Sequence, residues 1–155
     1  MRAGEWIVLH RGGLLTPENH RRLMGWALEC AGHVFFLLGE DPDPIFRLAL
    51  DRASEWSEGK IPPGTVIRAA REVHAAARRL PEGSAERAAA RSIGHAAATA
   101  HMADHCPGAA WYALKAITLA GLPAEEERVW QDARMEEMGP ALADLVRRER
   151  LRKHI

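Results

Sequence analysis

The segment RSIGHAAATAHMADHCPGAAWYALKA, Arg91 to Ala116, sets three histidines, His95, His101 and His105, into an alanine-rich background. Alanine loses no side-chain entropy on entering a helix, so this composition reads as helix and offers no period-two alternation for a strand. Small side chains also let helices approach closely, so the few large polar groups between them must find partners or line a cavity. Histidine titrates near neutral pH and is the commonest metal ligand, and three within eleven residues mark this segment as a candidate site.

Upstream, AREVHAAARR around His74 echoes ARSIGHAAATA around His95, each setting a histidine before three alanines. Two copies fall short of the three or more that a solenoid needs, so a bundle or helical-hairpin array is expected. Thr16 as N-cap and Pro17 begin a first helix that carries Leu23, Met24, Ala27, Leu28, Ala31, Val34, Phe35 and Leu38 at helical spacing and ends at Gly39. Gly25 and Gly32 would admit a neighbouring helix on another side. Asp43-Pro44 opens a second helix closed by Gly59, and a third runs from about Gly64 to Leu80. Ser84 caps a fourth over about Ala85 to Asp104, and Pro107-Gly108 starts a fifth ending near Gly121. Pro123 begins a sixth, with Glu125, Glu126 and Glu127 against its N-terminal dipole, broken or kinked at Gly139-Pro140 before a last segment. The expectation is an all-α single-domain bundle of about six helices with short connections over residues 16–155, preceded by an N-terminal arm, residues 1–15.

A chain of 155 residues can bury about two-thirds of its unfolded surface in one core. Lys+Arg and Asp+Glu both number 21, and a net charge of zero argues against a dedicated nucleic-acid binder or an anionic-membrane protein. Cys30 and Cys106 are too few for a disulfide framework and are spaced unlike a zinc motif, which points to a reducing compartment. MRAGEWIVLHRGG carries no secretory pattern, and the longest apolar runs, interrupted by His33 or Lys115, fall short of a membrane span. A soluble cytoplasmic protein is expected, with neither nucleic acid nor membrane as partner.

The candidate polar site gathers His74, Arg91, His95, His101 and His105. On one continuous helix His101 and His105 stand about 40° apart around the axis, so both imidazoles would reach one ion. His95 falls roughly 80 to 120° away from them, beside Arg91, Thr99 and Met102. His74, on the preceding helix, is then the third ligand. That set of His74, His101 and His105 would suit a divalent metal such as zinc, the one cofactor the residues suggest. Without metal the same histidines form a hydrogen-bonded network, which predicts a stability change near pH 6. No glutamate follows His101, so the helical metalloprotease motif is absent.

Cys106, between His105 and Pro107, would cap the fifth helix, where the positive helix end favours a thiolate; an inert buried cysteine is the alternative. Glu40, Asp41 and Asp43 form an acidic capping turn. Trp26, Trp56, Trp111 and Trp130 read as core and helix-contact residues, and the terminal RRERLRKH as a solvated basic helix end.

Five segments occur in a set order: Trp26-Ala27-Leu28-Glu29-Cys30-Ala31, the Asp43-Pro44 turn leading to Trp56 and Gly59, His74-Ala75-Ala76-Ala77-Arg78, the block from Ala90 to Ala116, and Glu127-Arg128-Val129-Trp130-Gln131. Over about residues 20 to 135 they resemble the putative immunity protein family, small all-α bacterial proteins, and AHMADHCPGAAWYALKA is the most specific block. In that family the positions of His74, His101 and His105 match histidines, whereas that of His95 can be glutamine. Its Asp-Arg-Pro turn is Asp43-Pro44 here, without the arginine. The resemblance implies a non-enzymatic interaction protein, an immunity-type inhibitor of a cognate toxin, and no nucleophile–base pair or phosphate loop is recognisable. A protein partner is expected, a toxin or a second copy in a symmetric homodimer. The alternative drawn from the residues alone is a helical metalloprotein or metal-dependent hydrolase built on the histidine cluster.

Overall fold

Side-chain caps set the helix starts. Thr16 Oγ1 accepts from the Asn19 N–H at 3.1 Å, Asp43 Oδ1 from the Ile45 N–H at 2.9 Å, and Ser84 Oγ from the Arg87 N–H at 3.1 Å. Each supplies an acceptor to a first-turn amide that has none within its own helix. In the computed structural model, which describes residues 3–155, the resulting helices are α1 (Pro17–His33), α2 (Pro44–Ser57), α3 (Pro63–Arg78), α4 (Ala85–Ala98), α5 (Cys106–Leu119), α6 (Ala124–Glu136) and α7 (Pro140–Lys153). The protein is all-α, and among the described residues the only β feature is an isolated bridge between Val8 and Leu15. No helix among them is long and apolar enough to cross a membrane.

Two helix ends differ from those read off the sequence. The first helix stops at His33 and tightens into a 3-10 turn, Phe35–Leu38, instead of running to Gly39. Glycine at 32 and a β-branched valine at 34 weaken α propensity there. The fourth stops at Ala98, six residues short of Asp104. Thr99 Oγ1 donates back to the His95 carbonyl at 3.1 Å, the next amides bond three residues back, and Met102 is extended at φ −139° and ψ 107°. At Gly139-Pro140 the chain breaks, as one of the two expected outcomes, because Gly139 adopts φ +96°, and the sixth and last segments are separate helices, seven among the described residues.

One continuous core runs from Trp6 and Leu15 through all seven helices to Val146. Helix α4 lies at its centre, packed against α1, α2, α3 and α5. Its buried positions are Ala88, Ala89, Ala90, Ser92, Ile93, Gly94, Ala96 and Ala97, nearly all small. Ser92 Oγ donates to the Ala109 carbonyl at 2.7 Å, while further along α4 the His95 ring lies against Gly108, so α4 and α5 run in opposite directions. Gly25 and Gly32 do not serve the close approach expected of them, since the space where each would carry a Cβ is open.

A buried polar network ties the C-terminal helices to this core. Trp26 Nε1 donates to the Gln131 carbonyl at 3.0 Å, Gln131 Nε2 donates to the Ala110 carbonyl at 2.9 Å, and Arg150 Nη2 donates to Gln131 Oε1 at 2.7 Å. Arg150 is therefore no part of a solvated helix end: it is 5% exposed, and Arg148 and Arg152 are paired with Glu5 and Glu149. Glu127, expected beside the α6 dipole, is also buried and pairs with His33 Nδ1 at 2.7 Å. Of the four tryptophans read as core or helix-contact residues, Trp26 is buried, and Trp56, Trp111 and Trp130 are half-buried. The N-terminal residues form two 3-10 turns, Gly4–Trp6 and Leu9–Arg11, that drive Trp6 into the core, while Met1 and Arg2 of the expected arm lie outside the described residues.

Gln131→Leu removes the hydrogen bonds to the Ala110 carbonyl and to Arg150 Nη2, leaving Asp132 as the partner of that buried guanidinium, and urea denaturation is expected to show a loss of about 2–4 kcal/mol. The double variant Gln131→Leu/Arg150→Met should lose less than the sum of the two singles, as shared networks do.

Candidate functional site

Where α3, α4 and α5 meet, the two echoed histidines face each other. His74 of α3 and His95 of α4 pack edge to face with ring centroids 5.4 Å apart. Glycines make room for both. A Cβ on Gly94 would lie 2.5 Å from the His74 ring, so that imidazole fills a niche only a glycine leaves, and one on Gly108 would press at 3.0 Å on the His95 ring. His105, in the 3-10 turn Ala103–His105 that leads into α5, brings its Nδ1 to 3.2 Å from His95 Nδ1. Tyr112 of α5 stacks on His95 with centroids 5.1 Å apart.

Arg91 closes the cluster. Its Nη1 donates to His74 Nδ1 at 2.7 Å; a guanidinium can only donate, so His74 Nδ1 is an acceptor and its proton sits on Nε2. Burial, followed by the charges of Arg91 and His105, holds His74 down to about 4. Burial, followed by His105 and His74, holds His95 down to about 3. Both rings are neutral at pH 7.

The candidate residues therefore separate into two places. His74, Arg91, His95 and His105 come together, contrary to the expectation that His95 would face away. His101 does not join them. With α4 ended at Ala98, its spacing of four from His105 is no longer a helical register, and His101 sits exposed on the turn, lining a different cavity with His20 and Trp56. The proposed metal set of His74, His101 and His105 is thus not assembled, and no group of three or more His, Cys, Asp or Glu among the described residues could hold a metal ion. The His74 lone pair that a metal would need is engaged by a cation. Cys106 opens α5 but is wholly buried, and burial pushes its thiol well above the ordinary range, which removes the reactive-thiol reading.

Tyr112 was not singled out from the sequence. Its signal was that it is the chain's one tyrosine and stands one turn beyond Gly108, on the face that receives His95. Its neighbours extend the site outward. Lys115 Nζ lies 5.2 Å above Trp111 and 5.8 Å above Tyr112, and Arg78 and Arg87 add positive charge around Arg91. A shallow cavity of about 210 Å³ over this face is bordered by Ser84, Arg87, Arg91, Tyr112 and Lys115, with Glu82 as its one carboxylate.

A family model described as Imm-5 like putative immunity protein matches residues 13–138. The chain belongs to that family. The matched span covers α1 to α6 and every residue of the histidine–arginine cluster, and it leaves out most of the N-terminal turns and α7. No curated protein and no solved structure matches the chain.

Gly94→Ala should destabilise the protein by about 1–3 kcal/mol, because the His74 ring must leave its niche and Arg91; in a His74→Ala background the same change should cost much less, a coupling that denaturant titration of the four proteins measures. The depressed histidines also set a pH dependence. In the unfolded chain they take up protons below about pH 6.5, whereas the folded state keeps them neutral, so stability present above that pH falls as pH drops toward 4 and then 3. Thermal midpoints measured from pH 7 to 4.5 should decline, and His74→Gln and His95→Gln should each flatten the decline; an unchanged slope in both would place the acid sensitivity elsewhere.

Proposed function

We propose that this protein is an immunity-type inhibitor that acts in the cytoplasm by binding a cognate toxin, with no catalysis or cofactor of its own. Family membership supports the class, and one observation supports the surface: the face formed by Arg78, Arg87, Arg91 and Lys115 is basic and unneutralised. Among the described residues none of these four has a carboxylate within ion-pair distance. Other arginines are mixed: Arg134 pairs with Glu29 and Glu137, Arg147 with Glu136, and Arg148 with Glu5 and Asp144, while Arg11 and Arg21 elsewhere are also unpaired among the described residues. What sets this face apart is that its four cations lie beside Trp111 and Tyr112.

A face that sets four unpaired cations side by side in a chain of zero net charge is locally positive and suited to steering an acidic partner. Half-buried Trp111 and Tyr112 beside those cations are the residue types that anchor interfaces. Beneath them, the bond from Arg91 to His74 holds one guanidinium in place before any partner arrives. A second copy is a poor occupant of this face, because a two-fold contact would set Arg78, Arg87 and Lys115 against their own images. The partner surface is accordingly acidic and belongs to a different chain.

The test is protection. Co-expressed with toxins from its own host, the wild type should restore growth against its cognate one, and Arg78→Glu/Arg87→Glu/Lys115→Glu should abolish protection and slow association by about tenfold or more at low salt, with an unchanged thermal midpoint. Protection that survives the triple variant would remove this face from the interface. Failure of the wild type against every toxin, or tight binding to nucleic acid instead, would remove the proposal.

A further inference from the structure

A second and larger cavity, of about 410 Å³, shares no lining residue with the basic face and lies between the N-terminal turns, α1, the end of α2 and the turn that follows α4. Its size falls within the range of small-molecule sites. Inside, Leu15, Trp56, Ile61 and Ala100 present an apolar wall. Trp56 is held against His20 edge to face, with ring centroids 4.7 Å apart. His20 Nε2 donates to the Thr99 carbonyl at 2.6 Å, so this 6%-exposed ring is fixed in place and tautomer before anything binds. Burial further lowers its tendency to charge.

The charge around the cavity is one-sided. Arg11 and Arg21 line it, neither has a carboxylate partner among the described residues, and no aspartate or glutamate lines the cavity at all. An apolar wall in a cavity bordered by two guanidinium groups without carboxylate partners suits a small anion with an aromatic body and a carboxylate or similar head. Val8, Leu9, His10 and Arg11 on one side of the cavity lie outside the matched span 13–138, whereas Arg21 and the apolar wall lie within it.

We infer that this cavity binds a small aromatic carboxylate, with the ring against Trp56 and the anionic head between Arg11 and Arg21. Occupancy would tie the N-terminal turns to the end of α2 and the turn after α4, and so stabilise the folded chain.

Titrating the full chain with 2-naphthoate, followed by amide chemical shifts and by tryptophan fluorescence, tests this directly. The expected result is saturable binding at one site, with shifts at Trp56, Ala100 and His101 and a raised thermal midpoint. Arg11→Ala/Arg21→Ala, which alters only exposed side chains, should weaken binding by about tenfold, and uncharged 2-naphthamide should bind the wild type about tenfold more weakly than the carboxylate. Ala100→Leu should fill the cavity and abolish binding. No saturable binding, equal affinity for acid and amide, or an affinity that the arginine pair does not alter would each overturn the inference. So would a concentration-dependent dimer that perturbs the same amides without ligand.

Discussion

Close packing around a helix of small residues is the constraint from which the rest of this structure follows. Helix α4 buries alanines, a serine and Gly94 against four other helices, and such a surface lets their backbones come near. Alanine alone would leave gaps, and gaps in a core are costly. Here the remaining volume between α3, α4 and α5 is filled by imidazoles, one seated over Gly94 and one over Gly108. Being polar, these rings must be hydrogen-bonded when buried, which accounts for the Arg91–His74 and His95–His105 contacts. The cluster is therefore a packing solution first, and its effect on the surface is secondary: it anchors Arg91 and orders Tyr112 beneath a positively charged face.

Charge is distributed as unevenly as side-chain size. The two C-terminal helices knit most of their arginines into ion pairs and into the network of Trp26, Gln131 and Arg150. The α3–α4–α5 face and the rim of the large cavity keep their arginines unpaired. Exposed ion pairs contribute little to stability, so this difference says less about folding than about what each surface can recruit.

The histidine site departs from its expected form for a single reason. Alanine-rich periodicity carries no stop signal of its own, and extending the fourth helix to Asp104 placed His101 and His105 on one face. The helix instead ends at Ala98, where Thr99 turns its hydroxyl back on the His95 carbonyl. Six residues of unwound chain reassign the site: His105 moves to His95, His101 moves to the apolar cavity, and the metal geometry disappears. A similar error treated the terminal basic run as solvated, although Arg150 is buried against Gln131.

Helix content, cap positions, family and the identity of most cluster residues were legible in the sequence, because they depend on local chemistry: a capping hydroxyl, a proline in the first turn, an alanine run, an ordered set of segments. Which histidines meet, which arginines stay unpaired and where the cavities open were decided only in the tertiary structure. Those properties depend on contacts between residues distant along the chain, such as His20 with Thr99 and Trp26 with Gln131, and on the rotation of each helix about its axis, which one misplaced terminus is enough to alter.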